Sequence, residues 1–301
     1  MIKPVSEVAV GRVEVREKAP RPIKRRIPVV SLLAHGASLL ASVAVCGILA
    51  LIVGYILING IPHLSWQMVF GPYSADNPSM PFAMVTTLLI IGITLLLALP
   101  IGIFCAVYLC EYTKSGSRLV KLIRLATETL AGIPSIVYGL FGAMFFGNVL
   151  GLGYSVLTGV LTATIMVLPV MIRAAEEAIL SVPASYREGS YALGASRLLT
   201  IFRIILPAAK DGILSGVILS TGRIIGETAA LIFTLGTNAK LPAGLLESSR
   251  TLAVHMYINT RDGGEAGRGA AFATGVVLIV IVLVINLLST YLVKKTKKNE
   301  K

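Results

Sequence analysis

The chain has 301 residues, of which 55% are hydrophobic and only 14% charged, and it carries a formal net charge of +12. A soluble domain of this length holds nearer a quarter charged residues. The apolar residues fall instead in blocks long enough to cross a bilayer, which takes about 20 residues as helix. The positive charge sits in tails and in loops between those blocks, which argues against nucleic-acid binding. The alternation of a transmembrane barrel is absent, so the predicted class is an all-α membrane protein whose helices satisfy their own backbone hydrogen bonds in lipid.

Six transmembrane helices are predicted, at about 31–60, 82–110, 122–148, 151–172, 212–235 and 270–293. The first follows a basic, Pro-containing tail, residues 1–28. Its apolar part is far longer than a signal-peptide core and no clear small-residue cleavage site follows, so 29–60 reads as an uncleaved anchor. Lys and Arg number eight in the tail 1–28, four around 111–124, five in 173–211 and five in the C-terminal tail 294–301. The intervening segments hold few, so 22 positive charges lie on one face against 4 on the other. The positive-inside rule then places both termini in the cytoplasm, as an even number of spans requires. The first outer loop, HLSWQMVFGPYSADNPSMP, has turn chemistry and interfacial aromatics. The second outer segment contains LLESSRTLAVHMYI, which reads as a short helix near the membrane surface. Residues 261–269, RDGGEAGRG, read as a flexible link. No separate soluble domain is predicted.

Three interior segments carry the functional signals. In the third span, AGIPSIVYG, Gly132 and Pro134 kink or break the helix, because Pro134 removes a backbone donor and its ring clashes with the preceding turn. Freed backbone groups are tolerated at membrane depth only beside protein or a wet cavity, and discontinuous helices often line transport sites. Ser135 is accordingly a candidate substrate contact, the alternative being a packing kink. Glu128 lies near the inner end of this span.

The segment 173–211 is long and structured for a loop. Ser181 can cap and Pro183 can start a helix, Gly194 breaks the run, and a second amphipathic piece ends near Leu206-Pro207. Two short helices with a Gly elbow make either a rigid knob that receives force from a partner or an interfacial helix on lipid headgroups.

In the fifth span, Arg223 and Glu227 are four residues apart. On a continuous helix that spacing puts both on one face, about 6 Å apart along the axis. Each charge at the middle of a span costs roughly 2.5–3.5 kcal/mol on insertion scales. A fixed guanidinium beside a carboxylate can handle an anion that carries a proton; the alternative is a pair that locks helices together. Thr221 and Thr228 are nearby hydroxyl donors.

The three cysteines, Cys46, Cys105 and Cys110, give no disulfide or zinc spacing. His35, His63 and His255 are isolated and read as interfacial or packing groups. No G-x-x-x-x-G-K-[ST] phosphate-cradling loop occurs, so ATP hydrolysis by that route would have to come from another chain.

Glu188-Gly189-Ser190, then Gly194, then Ile204-Ile205-Leu206-Pro207 resembles the EAA loop of ABC importer permeases, with Gly189 and Ser190 replacing two alanines. AGIPSIVYG at 131–139 and GRIIGETAAL at 222–231 resemble the phosphate-uptake permeases. GETAAL and the short first outer loop are more similar to the PstA type than to PstC. The resemblance covers about residues 82–293 and leaves the tail 1–28 open.

The resemblance implies a type I ABC importer permease (MetI-like) architecture, with a permease domain at 82–293 and a coupling loop at 181–210. It implies that Glu188, Ala192, Gly194 and Arg197 fall in or beside the contact with an ATPase. It further implies a substrate pathway with Arg223, Glu227, Thr228 and Ser135. Glu227 then has two roles open to it: accepting a proton-bearing phosphate oxygen, or holding Arg223 in place while the site is empty. The partners implied are a PstC-type permease, PstB-type ATPase subunits, which use ATP and Mg, and a PstS-type phosphate-binding protein outside a bacterial inner membrane. No cofactor of the chain's own and no catalysis are implied. Rival readings are another oxyanion cargo (sulfate, molybdate or phosphonate), a membrane-embedded enzyme, and a sensor without transport.

Overall fold

The computed structural model describes residues 29–74, 77–113 and 117–298. The basic tail 1–28, Lys114 and Lys301, all used in the charge count, lie outside those residues. The chain divides into two units, residues 1–51 and 52–301. The first contributes, among the described residues, only the start of α1 (Val29–Gly60). Every element after α1 belongs to the second.

After a short helical turn at Ile61–His63 and α2 (Trp66–Phe70) comes α3 (Pro81–Val107), which begins on a proline and closes in a π-turn, Tyr108–Tyr112. Proline suits a first helical turn because its missing N–H would have no partner there. The helix α4 (Arg118–Ala131) is separated by Gly132–Pro134 from α5 (Ser135–Gly142), which continues as a π-turn to Val149. The two arms are bent by 101°, so the predicted break at Gly132 and Pro134 is present. Next come α6 (Val156–Leu180), α7 (Ala184–Ala192) and α8 (Arg197–Thr200). A π-turn at Ile201–Ile205 leads into α9 (Leu206–Ile225), and α10 (Ala229–Thr234), α11 (Leu252–Asp262) and α12 (Gly264–Lys298) complete the chain.

Among the described residues, four helices are long and apolar enough to cross a membrane: Leu33–His63, Pro81–Tyr112, Val156–Leu180 and Gly267–Tyr291. Counting α4 and α5 with its π-turn as one broken span makes five.

Several expectations change in detail. The segment 212–235 is not one helix, because α9 ends at Ile225 and α10 starts at Ala229. Ser181 does not cap α7; its hydroxyl donates back to the Ala178 carbonyl at 2.7 Å and closes α6. The second half of the knob does not end at Leu206-Pro207. The π-turn lies just before Pro207 and shifts the bonding register where proline offers no donor, so the helix runs on from Arg197 to Ile225. Residues 261–269 are mostly helical, with a turn only at Gly263 and Gly264 (φ +57°).

The core lies where α3, α6, α9 and α10 meet, around Ile90, Val160, Met166, Val167, Ile224 and Leu231. A second cluster, with Ala106, Ile179, Ile201, Ile205 and Ile213, joins the ends of α3 and α6 to the root of α9. Gly212 and Gly216 allow α9 to lie directly on α6. A Cβ at those positions would stand 2.5 Å from the Ala178 Cβ and 2.6 Å from the Ala174 Cβ. Small residues spaced four apart are how helices approach closely in lipid, where apolar side chains gain little by leaving the hydrocarbon.

Candidate functional site

The helices that follow the two breaks at 132–134 and 226–228, α5 and α10, pack directly on each other. A Cβ at Gly139 would stand 2.7 Å from the Cα of Ala230, and one at Gly142 would meet Thr162 and Thr234. The contacts advance together along both chains, 139 with 230 and 142 with 234, so α5 and α10 run parallel with their N-terminal ends toward the same side. Each helix start is the positive end of its backbone dipole and presents amides without intrahelical partners.

Arg223 lies in the last turn of α9, half-buried, just before the second break. A cation there is favoured by the negative helix end. Its charge acts on the hydroxyl of Tyr138. Tyr138 is buried and donates to the Leu130 carbonyl at 2.7 Å, bridging the first break from α5 back to α4. Sequence reasoning does not single out Tyr138, although it lies inside AGIPSIVYG; a tyrosine shortly after a helix break is the signal that could have found it.

Glu227 is buried, and its Oε1 accepts from the Ala230 amide at 2.9 Å, so the carboxylate caps α10. Among the described residues no ion pair or hydrogen bond joins it to Arg223. The expected shared helix face is lost because Gly226 ends α9 between them. Thr228 precedes α10, with its hydroxyl 3.4 Å from the Gly226 carbonyl. Ser135 is the half-buried first residue of α5, and Tyr138 lies one turn further on. The hydroxyl of Thr221 is turned back to the Val217 carbonyl at 2.7 Å. Arg223, Glu227, Thr228 and Ser135 thus all border one of the two breaks.

Two adjoining cavities, of about 190 and 260 Å³, lie beside α4 and α6 and share Thr127, Glu128, Arg173 and Glu177. The first extends to Ala131, at the edge of the break. The ion pairs Arg124–Glu176 (2.6 Å) and Arg173–Glu177 (3.1 Å) belong to the same charged groove.

The loop residues form a second constellation. Gly194 takes φ +80°, a conformation that favours glycine, and turns the chain between α7 and α8. Ser196 caps α8 through the Leu199 amide. Glu188, Ala192, Gly194 and Arg197 are all exposed, as are Tyr186, Tyr191 and Leu193, the last at 90%.

A third group carries no signal in the sequence. Arg250 is 3% exposed and His255 fully buried. The Arg250 Nε donates to His255 Nδ1 at 3.1 Å, and His255 Nε2 lies 3.2 Å from the Pro78 carbonyl. Nδ1 is therefore the acceptor and Nε2 carries the proton. The guanidinium also lies over the rings of Tyr73 and Phe82. Burial and the neighbouring Arg250 charge push the His255 pKa down to about 4. His255 is thus the packing group expected of it.

Among the described residues, all-helical packing and several apolar spans define a membrane protein that crosses the bilayer more than once. Residues 98–298 match the family model of the binding-protein-dependent transport system inner membrane component, and the chain belongs to that family. It is 36% identical over 288 residues to the probable ABC transporter permease protein YqgI of Bacillus subtilis, covering 89% of this chain and 97% of that one. It is 35% identical over 206 residues to the phosphate transport system permease protein PstA 1 of Mycobacterium tuberculosis, covering 68% and 67% of the two chains. Among solved structures, a bacterial ABC transporter involved in import of the acidic polysaccharide alginate shares the fold, with a TM-score of 0.62 and 18% identity over 89% of this chain and 98% of that one. Inward-facing MetNI methionine ABC transporter shares it too, with a TM-score of 0.57 and 18% identity over 72% of this chain and 94% of that one. The chain is a permease subunit of an ABC importer, and membership of that class implies a partner permease and an ATPase.

Proposed function

We propose that this chain is one of two permeases of an ATP-driven importer of inorganic phosphate. The observation that carries the reading is the meeting of two broken helices beside Arg223. A planar guanidinium that stays charged at any working pH makes two parallel charge-assisted bonds to a phosphate. The start of α5 adds positive potential, whereas at the start of α10 the Glu227 carboxylate offsets it, and Ser135 and Thr228 stand at those two starts. The PstA name of one relative supports phosphate as the cargo. On this reading Glu227 holds α10 in register beside Arg223, and the charged groove along α4 and α6 is the cytoplasmic approach.

The assembly is filled in on the same reading. Six spans cross a bacterial inner membrane, with α9 and α10 together as the fifth, and both termini are cytoplasmic. Residues 1–28 form a basic tail, 29–60 the first span, 82–293 the permease domain and 294–301 a second basic tail. The knob within 181–210 docks on a PstB-type ATPase through Glu188, Ala192, Gly194 and Arg197, with Leu193 and the exposed tyrosines supplying apolar contact. A PstC-type permease completes the pathway, and a PstS-type protein delivers phosphate from outside. ATP and Mg are used by the ATPase, and this chain needs no cofactor of its own.

The test is reconstitution of the complex in proteoliposomes, with ATP-dependent uptake of labelled phosphate and sulfate measured in parallel. Wild type is expected to take up phosphate in preference to sulfate, and Arg223→Gln to lose at least about 2.7 kcal/mol of transition-state stabilisation, a hundredfold in uptake. Phosphate uptake by Arg223→Gln at the wild-type rate sinks the site, and a sulfate preference in the wild type sinks the cargo.

A further inference from the structure

One guanidinium ties the knob to a helix remote in sequence. Arg187, on α7 beside Glu188, donates from Nε and Nη2 to Glu111 Oε1, at 2.9 and 2.8 Å. The same group donates from Nη1 to the Val182 carbonyl at 3.0 Å and from Nη2 to the Ile179 carbonyl at 3.1 Å. Glu111 is 5% exposed and sits in the π-turn that closes α3. Arg197 reinforces the joint by lying over the Tyr112 ring, 5.0 Å from its centroid. Ser190 and Thr200 bond across the elbow at 2.8 Å, binding α7 to α8.

The far end of α3 is tied as well. Thr86 and Ser249 bond at 2.9 Å, and the Leu252 amide donates to Thr87 Oγ1 at 2.9 Å, where α11 begins. The helix α3 therefore runs from the knob to the opposite end of the helix bundle, fastened by part-buried bonds at the knob and buried ones at the far end. The backbone links of α7 are softer, being the short turn 181–183 and the Gly194 elbow, where a Cβ would meet nothing within 4 Å. A load on the exposed face of α7 would swing it about that elbow if nothing else held it.

We propose that the Arg187–Glu111 pair is the latch through which motion of a docked ATPase is delivered to α3. This makes Arg187 and Glu111 positioning residues for transport. The inference rests on the coupling-loop reading above and adds the route the force takes. The chemistry suits the task. A guanidinium that bonds one buried carboxylate and two carbonyls of a helix end is held in one geometry, which an ammonium on a flexible stem cannot reproduce.

The experiment uses the complete complex, with the partner permease, ATPase and binding protein, in proteoliposomes. ATPase co-purification, ATP hydrolysis and uptake of phosphate and sulfate are measured for wild type, Glu111→Gln, Arg187→Gln and Arg187→Lys. The three variants are expected to keep the ATPase and hydrolyse ATP while anion moved per ATP falls about tenfold. Variants with the wild-type ratio overturn the latch. So does a ratio that falls only as far as ATPase binding falls. Wild type that moves sulfate and not phosphate refutes the cargo alone, and the latch is then read on sulfate.

Discussion

At the residue scale, the site turns on what each charge is bonded to. Glu227 is bonded to a backbone amide, so its removal should act first on α10. Glu227→Ala is expected to lower thermal stability in detergent by about 1 kcal/mol, the usual worth of a capping oxygen. Glu227→Gln keeps an acceptor for Ala230 and should lie close to wild type. A Gln variant as unstable as the Ala variant would mean that the charge, not the cap, matters. The buried Arg250–His255 pair responds to pH. His255 is held neutral chiefly because burial disfavours the charged ring, and protonation would also put a second charge beside Arg250 and remove the acceptor of its Nε–H. With a folded pKa of about 4 against the usual 6.5, the unfolded chain takes up its proton first as pH falls. The stabilisation from the neutral imidazole is therefore complete above pH 6.5 and is lost progressively down to about pH 4. At about 1.4 kcal/mol per unit, the loss is roughly 3 kcal/mol. Thermal unfolding across that pH range should show the decline in wild type and not in His255→Gln.

At the element scale, the parallel pair α5 and α10 depends on glycines facing small residues. Gly139→Val would drive a branched side chain into the backbone of Ala230 and should cost about 1–3 kcal/mol by overpacking. The same variant should reduce uptake more than its stability loss explains, since the two helix starts would be pushed apart. Wild-type transport by Gly139→Val would show that the close approach is dispensable. Elements are unevenly legible in the sequence. The break at 132–134 is legible because Gly132 and Pro134 fall together; proline alone is not enough, since Pro100 lies inside α3 and Pro169 inside α6. The break at 226–228 is not, because Gly226 is tolerated inside helices and the Glu227 cap on α10 shows only in the folded chain. The continuation of the knob through Pro207 is equally hidden, because a π-turn leaves no compositional mark. The turn at Gly194 is legible, since glycine there both ends α7 and takes positive φ.

At the scale of the whole molecule, class and family follow from block hydropathy and from three short motifs, and they survive every correction of element boundaries. The site is partly legible for a similar reason. A charge inside an apolar block is costly wherever the helix ends, so Arg223 stands out whether or not its helix stops two residues later. Arg187 and Arg250 do not stand out, because a charge in a loop has no such cost until the fold buries it. The bend between α4 and α5 has an electrical consequence on the proposed reading. The arm Ser135–Val149 is about 22 Å long at α-helical rise, too short to cross about 30 Å of hydrocarbon alone. The anion that Arg223 is proposed to meet beside that arm would then lie part-way through the membrane voltage. Moving one elementary charge through 100 mV takes about 2.3 kcal/mol, and an inside-negative potential opposes an incoming anion. Uptake into proteoliposomes clamped by potassium diffusion potentials should therefore slow as the interior is made more negative, and a rate indifferent to voltage would mean that the anion crosses with its charge compensated.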